Sequence, residues 1–201
     1  FQDTAMTSRQ LIEKVMEPYR QQSHVFFAIP DEELGQIMVQ YQETDWAFLN
    51  RILSKYGAKA YVDSTTPGIC IRAGLMDLEE DADWDSLPFT VSRSMSPTCA
   101  EGTLKGQLCY RLEAYDLIPL GEKVSFRDHE LYIGRIERNI SQGLLSSSYS
   151  LYFPEGLRAC RYNNPFLSGV SINGAVTSVK RDRIQARLET DAPGKCRRKY
   201  F

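Results

Sequence analysis

Thr44-Asp45-Trp46-Ala47-Phe48-Leu49-Asn50-Arg51-Ile52-Leu53-Ser54-Lys55-Tyr56-Gly57 predicts the best-defined element of the chain. Thr44 suits an N-cap, because its hydroxyl can accept from an amide that the first helical turn leaves free. Asp45 follows, where the positive end of the helix dipole favours an anion. Trp46, Leu49, Ile52, Leu53 and Tyr56 recur as one apolar stripe. Gly57 ends the helix, since only glycine enters the left-handed conformation without a Cβ penalty. Lys59 to Asp63 then reads as a strand, Thr65-Thr66-Pro67-Gly68 as a turn and Ile69 to Ala73 as a second strand. Helix and hairpin together predict one small α/β unit.

Towards the N-terminus, Thr7-Ser8-Arg9-Gln10 fits a capping box, and Leu11, Ile12, Val15, Met16 and Tyr19 continue at helical spacing. Pro18 and Gln21-Gln22-Ser23 mark the end of that helix. His24 to Ile29 predicts a strand and Pro30 to Gly35 a turn. Gln36 to Gln42 alternates, with Ile37, Val39 and Tyr41 on one side, and predicts a further strand.

Towards the C-terminus, Asp77, Glu79, Glu80, Asp81, Asp83 and Asp85 form an acidic run with no base, the mark of a solvated boundary loop. Its spacing lacks the central glycine of a calcium-binding EF-hand loop. After Trp84 the period switches to two. Leu87–Ser94, Gln107–Ala114, Lys123–Arg127, Leu131–Asn139 and Leu144–Phe153 read as strands, with a tight turn at Asp128-His129. Five short strands joined closely predict a small antiparallel barrel or sandwich. Residues 156–169 read as irregular, and Gly174–Val179 with Ile184–Leu188 as a last hairpin, marginal unless more chain completes it. The expected class is α+β, predominantly β: an α+β unit at 1–86, an antiparallel β-barrel at 87–157, and a linker with an opening hairpin at 158–201.

The chain has 201 residues, 42% hydrophobic and 25% charged, which is globular rather than disordered. Lys and Arg number 24 against 26 Asp and Glu, a net charge of −2 that argues against a global nucleic-acid binder. No apolar run approaches the roughly 18–20 residues of a membrane span. Phe1 stands where a leader or initiator Met is expected, so the chain reads as a piece of a longer protein. The five cysteines (70, 99, 109, 160, 196) lack the close pairing of a zinc site, with only His24 and His129 to supplement them, and read as reduced thiols.

Catalytic motifs are sparse. Leu120-Gly121-Glu122-Lys123 lacks the first glycine and the Ser/Thr of a phosphate loop, and neither GxSxG nor HExxH occurs. Cys109, His129 and Asp128 would make a nucleophile set only if they met within hydrogen-bond reach, and Asp128-His129 reads as a turn. Ser146-Ser147-Ser148 reads as polar strand residues. Lys180 to Lys199 holds eight bases against three acids, and Tyr200 and Phe201 follow; single-stranded nucleic acid is one reading, a solvated or interface surface the favoured one. Trp46, Phe48 and Tyr61 could line a sugar-stacking face, but helical spacing assigns Trp46 to a core. No residue is assigned as catalytic, cofactor-binding or metal-binding.

The stretch Val39-Gln40-Tyr41-Gln42-Glu43-Thr44-Asp45-Trp46-Ala47-Phe48-Leu49-Asn50-Arg51-Ile52-Leu53 resembles the QY-E-(S/T)-D-(W/F)-x-F-L-x-R-L segment of tail hub proteins, the phage late-control D and VgrG-type spikes of contractile injection systems. Leu120-Gly121-Glu122-Lys123-Val124 is similar to the entry of the second hub barrel. Ile172-Asn173-Gly174-Ala175-Val176 through Leu188 is similar to the start of the OB-fold that joins hub to spike. The resemblance runs from about Gln36 to Leu188. It implies a non-enzymatic hub, homotrimeric in the full-length protein, that adapts a tail tube to a spike in a virion or injection particle assembled in the bacterial cytoplasm. It implies no cofactor, no required nucleic-acid contact and no membrane-spanning segment. On this reading the first hub barrel precedes Phe1 and the rest of the OB-fold follows Phe201. The alternative is a carbohydrate or cell-wall binding module using exposed aromatics; a hydrolase with an unrecognised site is a third reading.

Overall fold

The computed structural model describes residues 1, 3–78, 82–97, 104–181 and 183–189. Helix α1 (Ser8–Met16) starts on the expected capping box: the Gln10 amide donates to Thr7 Oγ1 (3.3 Å) and the Thr7 amide to Gln10 Oε1 (3.1 Å). It buries Leu11, Ile12, Val15 and Met16 and tightens into a 3-10 turn at Glu17–Tyr19, where Pro18 cannot continue an α-helix. Helix α2 (Asp45–Ser54) is capped by Thr44, whose hydroxyl accepts from the Ala47 amide at 3.2 Å. Its buried face is Phe48, Leu49, Ile52 and Leu53, while Trp46 sits at the edge of the stripe and is 45% exposed. The expected assignment of Trp46 to the core is therefore corrected: Phe48 takes that place, because it lies closer to the centre of the inward face. Gly57 has φ +69°, and a Cβ there would stand 2.7 Å from Arg158 Nε. Thr44→Ala is expected to lose about 1 kcal/mol of unfolding free energy, the usual worth of a threonine cap; an unchanged urea midpoint would show that water replaces the hydroxyl.

Strands β1 (Ser23–Phe27), β2 (Ala60–Asp63) and β3 (Ile69–Ala73) form a sheet in the order β1-β3-β2, with β1 parallel and β2 antiparallel to β3. Both helices contribute to one core with this sheet, built around Leu11, Ile12, Phe48, Leu49, Ile52 and Leu53. The strand expected at Gln36–Gln42 does not form. Its backbone groups are taken elsewhere: the Met38 amide donates to the Phe1 carbonyl (3.0 Å), and the Arg51 guanidinium donates to the Val39 carbonyl (2.7 Å). Met38, not the alternating Ile37 or Val39, is the buried side chain.

The second half is a five-stranded antiparallel sheet: β4 (Phe89–Pro97), β5 (Leu104–Ala114), β6 (Lys123–Phe126), β7 (His129–Ser141) and β8 (Leu144–Tyr152). Their order is β4-β5-β8-β7-β6. Alternation drives the curl. Leu112 and Ala114 of β5, Leu131 and Ile133 of β7, and Tyr149 and Leu151 of β8 point to one side and are buried. Trp84 packs on that side, 1% exposed, against the Tyr149 ring at 4.8 Å. The expected barrel takes the form of a half-barrel, in which the end strands β4 and β6 are not paired with each other. The tight turn lies one residue earlier than read from sequence, at Arg127-Asp128 (φ +51° and +60°), and His129 opens β7. Gln142-Gly143 (φ +50° and +81°) turns β7 into β8, the all-positive geometry that matches strand twist.

The β7–β8 register slips between Ile133 and Arg135. Gly134 is the extra residue, and a Cβ on it would lie 2.5 Å from the Tyr152 ring and 2.6 Å from Leu157 Cδ2. Gly134→Ala is expected to lose about 1–3 kcal/mol through overpacking; full stability in a denaturant titration would mean that the bulge relaxes freely.

The two cores are joined tightly. Met76 bridges Glu122, with the Met76 amide on the Gly121 carbonyl (2.8 Å) and the Lys123 amide on the Met76 carbonyl (3.1 Å). After β8 a short helix α3 (Pro154–Leu157) replaces the start of the expected irregular stretch. The chain then returns along α2: the Ala159 amide donates to the Gly57 carbonyl (2.8 Å), the Tyr162 amide to Ser54 Oγ (2.9 Å) and Asn164 Nδ2 to the Tyr41 carbonyl (2.8 Å). Strands β9 (Gly174–Lys180) and β10 (Arg183–Leu188) form the separate hairpin read from sequence.

Candidate interaction surface

The half-barrel has two unlike faces. Its outer face is polar and laced by Arg111–Glu137 (3.4 Å) and Arg135–Glu137 (2.5 Å) pairs. Its core face is apolar well beyond the packed core. On β4 and β5, Val91 (51% exposed), Met95 (59%) and Leu108 (38%) continue the side that holds Tyr110 and Leu112. On the β7–β8 hairpin, Ile140 (73%) and Leu145 (37%) continue the same side, and Leu144 (68%) projects from the other. The register places these groups at opposite ends of the sheet, because Leu112 pairs with Tyr149 between them. Both side edges are open as well. No backbone hydrogen bond leaves the outer edge of β4, or that of β7 beyond Ile133, among the described residues. Monomeric proteins seldom leave such edges and apolar patches uncovered.

A charged cluster lies at the seam between the two cores. Arg72 of β3 reaches Asp63 Oδ2 of β2 at 3.3 Å and also pairs with the Glu122 carboxylate; their side chains are 3% and 1% exposed. Burial alone would push the Asp63 carboxyl up, but the Thr65 hydroxyl and amide and then the Arg72 guanidinium outweigh it and hold it below its ordinary value. Beside the cluster, the Tyr132 hydroxyl donates to Asp77, and burial followed by that carboxylate pushes the Tyr132 phenol up. Arg138 of β7 adds a strap, with Nη1 on Ser64 Oγ at 2.6 Å. Sequence reading did not find this cluster, since its members are 59 residues apart and none stands in a motif.

The chemistry weighed from sequence does not assemble into a reactive site. Cys109 and Tyr110 are neighbours on β5 and face opposite sides. His129 stacks near Tyr110 (6.4 Å) and Phe153 (5.6 Å), so it lies on the face away from Cys109. Asp128 stays in the turn. Phe48 and Tyr61 are buried while Trp46 is exposed, so the three form no common stacking face. Among the described residues, no group of three or more His, Cys, Asp or Glu is placed to hold a metal. A cleft of about 460 Å³ is lined by Arg111, Glu113, Ser146 and Ser148, and one of about 390 Å³ by Lys59, Asp77, Glu155 and Arg158; neither contains Cys109 or His129. Cys70 and Cys109 are free, but Cys160 is disulfide-bonded, which corrects the all-reduced reading. Glu79, Glu80, Asp81, Cys99, Asp182, Cys196 and the basic residues from Lys195 onward lie outside the described residues. No described helix is long and apolar enough to cross a membrane.

No family model and no curated protein matches the chain. Among solved structures it is similar to the 43 kDa tail protein of prophage MuSo2 from Shewanella oneidensis, with a TM-score of 0.52 and 14% identity over 79% of this chain. It shares that protein's fold. The chain spans just under two thirds of the Shewanella protein, 66% of its length. The tail protein from Neisseria meningitidis MC58 aligns at a TM-score of 0.48 and 13% identity, over 76% of this chain and 68% of that one.

Proposed function

We propose that the chain is a structural, non-enzymatic part of a phage tail or phage-like contractile injection apparatus, and that it serves in the baseplate hub between tail tube and spike. The observation that carries this reading is the open half-barrel with uncovered apolar ends and edges, in a fold shared with a prophage tail protein. Such a surface is stabilised by burial against neighbours rather than used for chemistry. The TDWAFLNR stretch that resembles the hub proteins forms α2 and its cap. In this reading 1–86 and 87–157 are the hub's α+β and barrel units, 158–201 opens the OB-fold towards the spike, and the full-length hub is a homotrimer in the particle.

The test is removal of the gene from a strain that produces the particles. Tubes that lack spikes, restored by supplying the gene, are the expected result, together with the protein in purified particles by mass spectrometry. Complete particles of normal length and infectivity or killing activity without the protein would overturn the proposal.

A further inference from the structure

We infer that copies of this chain associate head to tail, with the β7–β8 hairpin tip of one copy seated on the β4–β5 shelf of the next. The inference rests on the assembly role proposed above and adds the contact that builds it. The tip carries Ile140, Leu144 and Leu145, and the shelf carries Val91, Met95 and Leu108. The two patches lie at opposite ends of one sheet, so a copy cannot cover its own shelf with its own tip. They also differ in shape: the tip is a narrow two-stranded projection that is apolar on both sides, and the shelf is one face of an edge strand and its neighbour. Two unlike patches on one molecule make a heterologous contact, which closes into a ring or runs on as a filament.

Strand direction supports the same partner. Along β4-β5-β8-β7 each strand opposes the last, so β4 of a second copy laid beside β7 is antiparallel to it and continues the alternation. The free edge of β7 beyond Ile133 and the free edge of β4 then satisfy each other, and the apolar sides of both sheets face the same way. The six side chains alone fall short of the roughly 800 Å² that each partner gives to a standard interface. Pairing along the two open edges supplies the remainder. A peptide or an unrelated protein would need both an apolar pocket for the tip and a free strand for the edge; a second copy brings both.

Two variants of the full chain test this. The tip variant is Ile140→Asp with Leu144→Asp, and the shelf variant is Val91→Asp with Met95→Asp. All four positions are more than half exposed, so circular dichroism and melting should match the parent chain. The parent is expected to scatter light as a multimer, and each variant alone as a monomer. An equimolar mixture should give a one-to-one dimer and stop there, because only one intact tip and one intact shelf remain. If the mixture stays monomeric, or either variant alone multimerises like the parent, the contact is wrong. Should a charged variant misfold, Leu144→Cys with Met95→Cys replaces it: oxidation should link copies into a ladder, and monomer alone would overturn the inference. The outcome is separable from the hub reading. Self-association through tip and shelf with spikes unaffected by gene removal would sink the hub alone, and spike loss with multimeric charge variants would sink the contact alone.

Discussion

An Arg72→Leu chain is expected to lose about 3–5 kcal/mol at neutral pH, the usual cost of stranding buried partners of a lost charge. Arg72 is the cation set between Asp63 and Glu122, and both of those carboxylates are almost fully withdrawn from water. Without it they repel each other across the seam where the first core meets the second. The pH dependence gives the cause away. In the parent chain the Asp63 carboxyl is held below its unfolded value, so its contribution is present above that value and is lost as pH falls through the folded one. In the variant the two carboxylates escape repulsion by taking up a proton, so their folded values rise and acid relieves the defect. Urea titrations at about pH 7 and about pH 5 should therefore show the gap between the chains narrowing in acid. An equal loss at both would show that packing, not charge, is what Arg72 supplies. Adding Asp63→Asn and Glu122→Gln to Arg72→Leu should recover much of the loss at neutral pH.

Trp84→Ala should be comparably damaging, about 3–5 kcal/mol for a large aromatic removed from a close-packed site. Trp84 is 1% exposed, stacks on Tyr149 and donates from Nε1 to Asp116 Oδ2 at 2.6 Å. Tyr149 holds the same loop from the other side, its hydroxyl donating to the Asp116 carbonyl and accepting the Ile118 amide at 3.2 Å. The indole thus closes the half-barrel's core and pins the 115–120 crossing at once. Trp84→Phe keeps most of the packing, and Asp116 is exposed enough to hydrate, so its loss should be about 1 kcal/mol. With Trp46→Phe as background, the emission of Trp84 reports directly on this core. A Trp84→Ala chain with an unchanged urea midpoint would show that the loop and the sheet do not depend on the indole.

Much of the local structure was legible. Thr7 and Gln10, Thr44 and Gly57 mark helix ends through hydrogen bonds that span three or four residues, and such bonds are set by neighbours in the chain. The period-two stretches after Trp84 became strands because alternation needs only one buried side. Gln36–Gln42 shows where this fails. It alternates too, but Phe1 and Arg51 occupy its backbone groups before a strand can. Trp46 fails for a related reason: a stripe two turns wide does not say how far the core reaches round the helix. The candidate surface was the least legible part. Val91 and Ile140 look like any core residue of an alternating strand, and only the placement of their neighbours leaves them in solvent.

The residues by themselves determined which segments turn, coil or extend, the predominantly β class and the absence of an assembled motif for metal or nucleophilic chemistry, because those depend on short-range hydrogen bonding and on residue type. Tertiary structure decided that β1 runs parallel to β3, that Arg72 finds Glu122 fifty residues away, and that the five-stranded sheet stops at a half-barrel with both edges open. Those outcomes turn on which distant surfaces meet and which are left over, and that is a property of the folded volume rather than of any window of sequence.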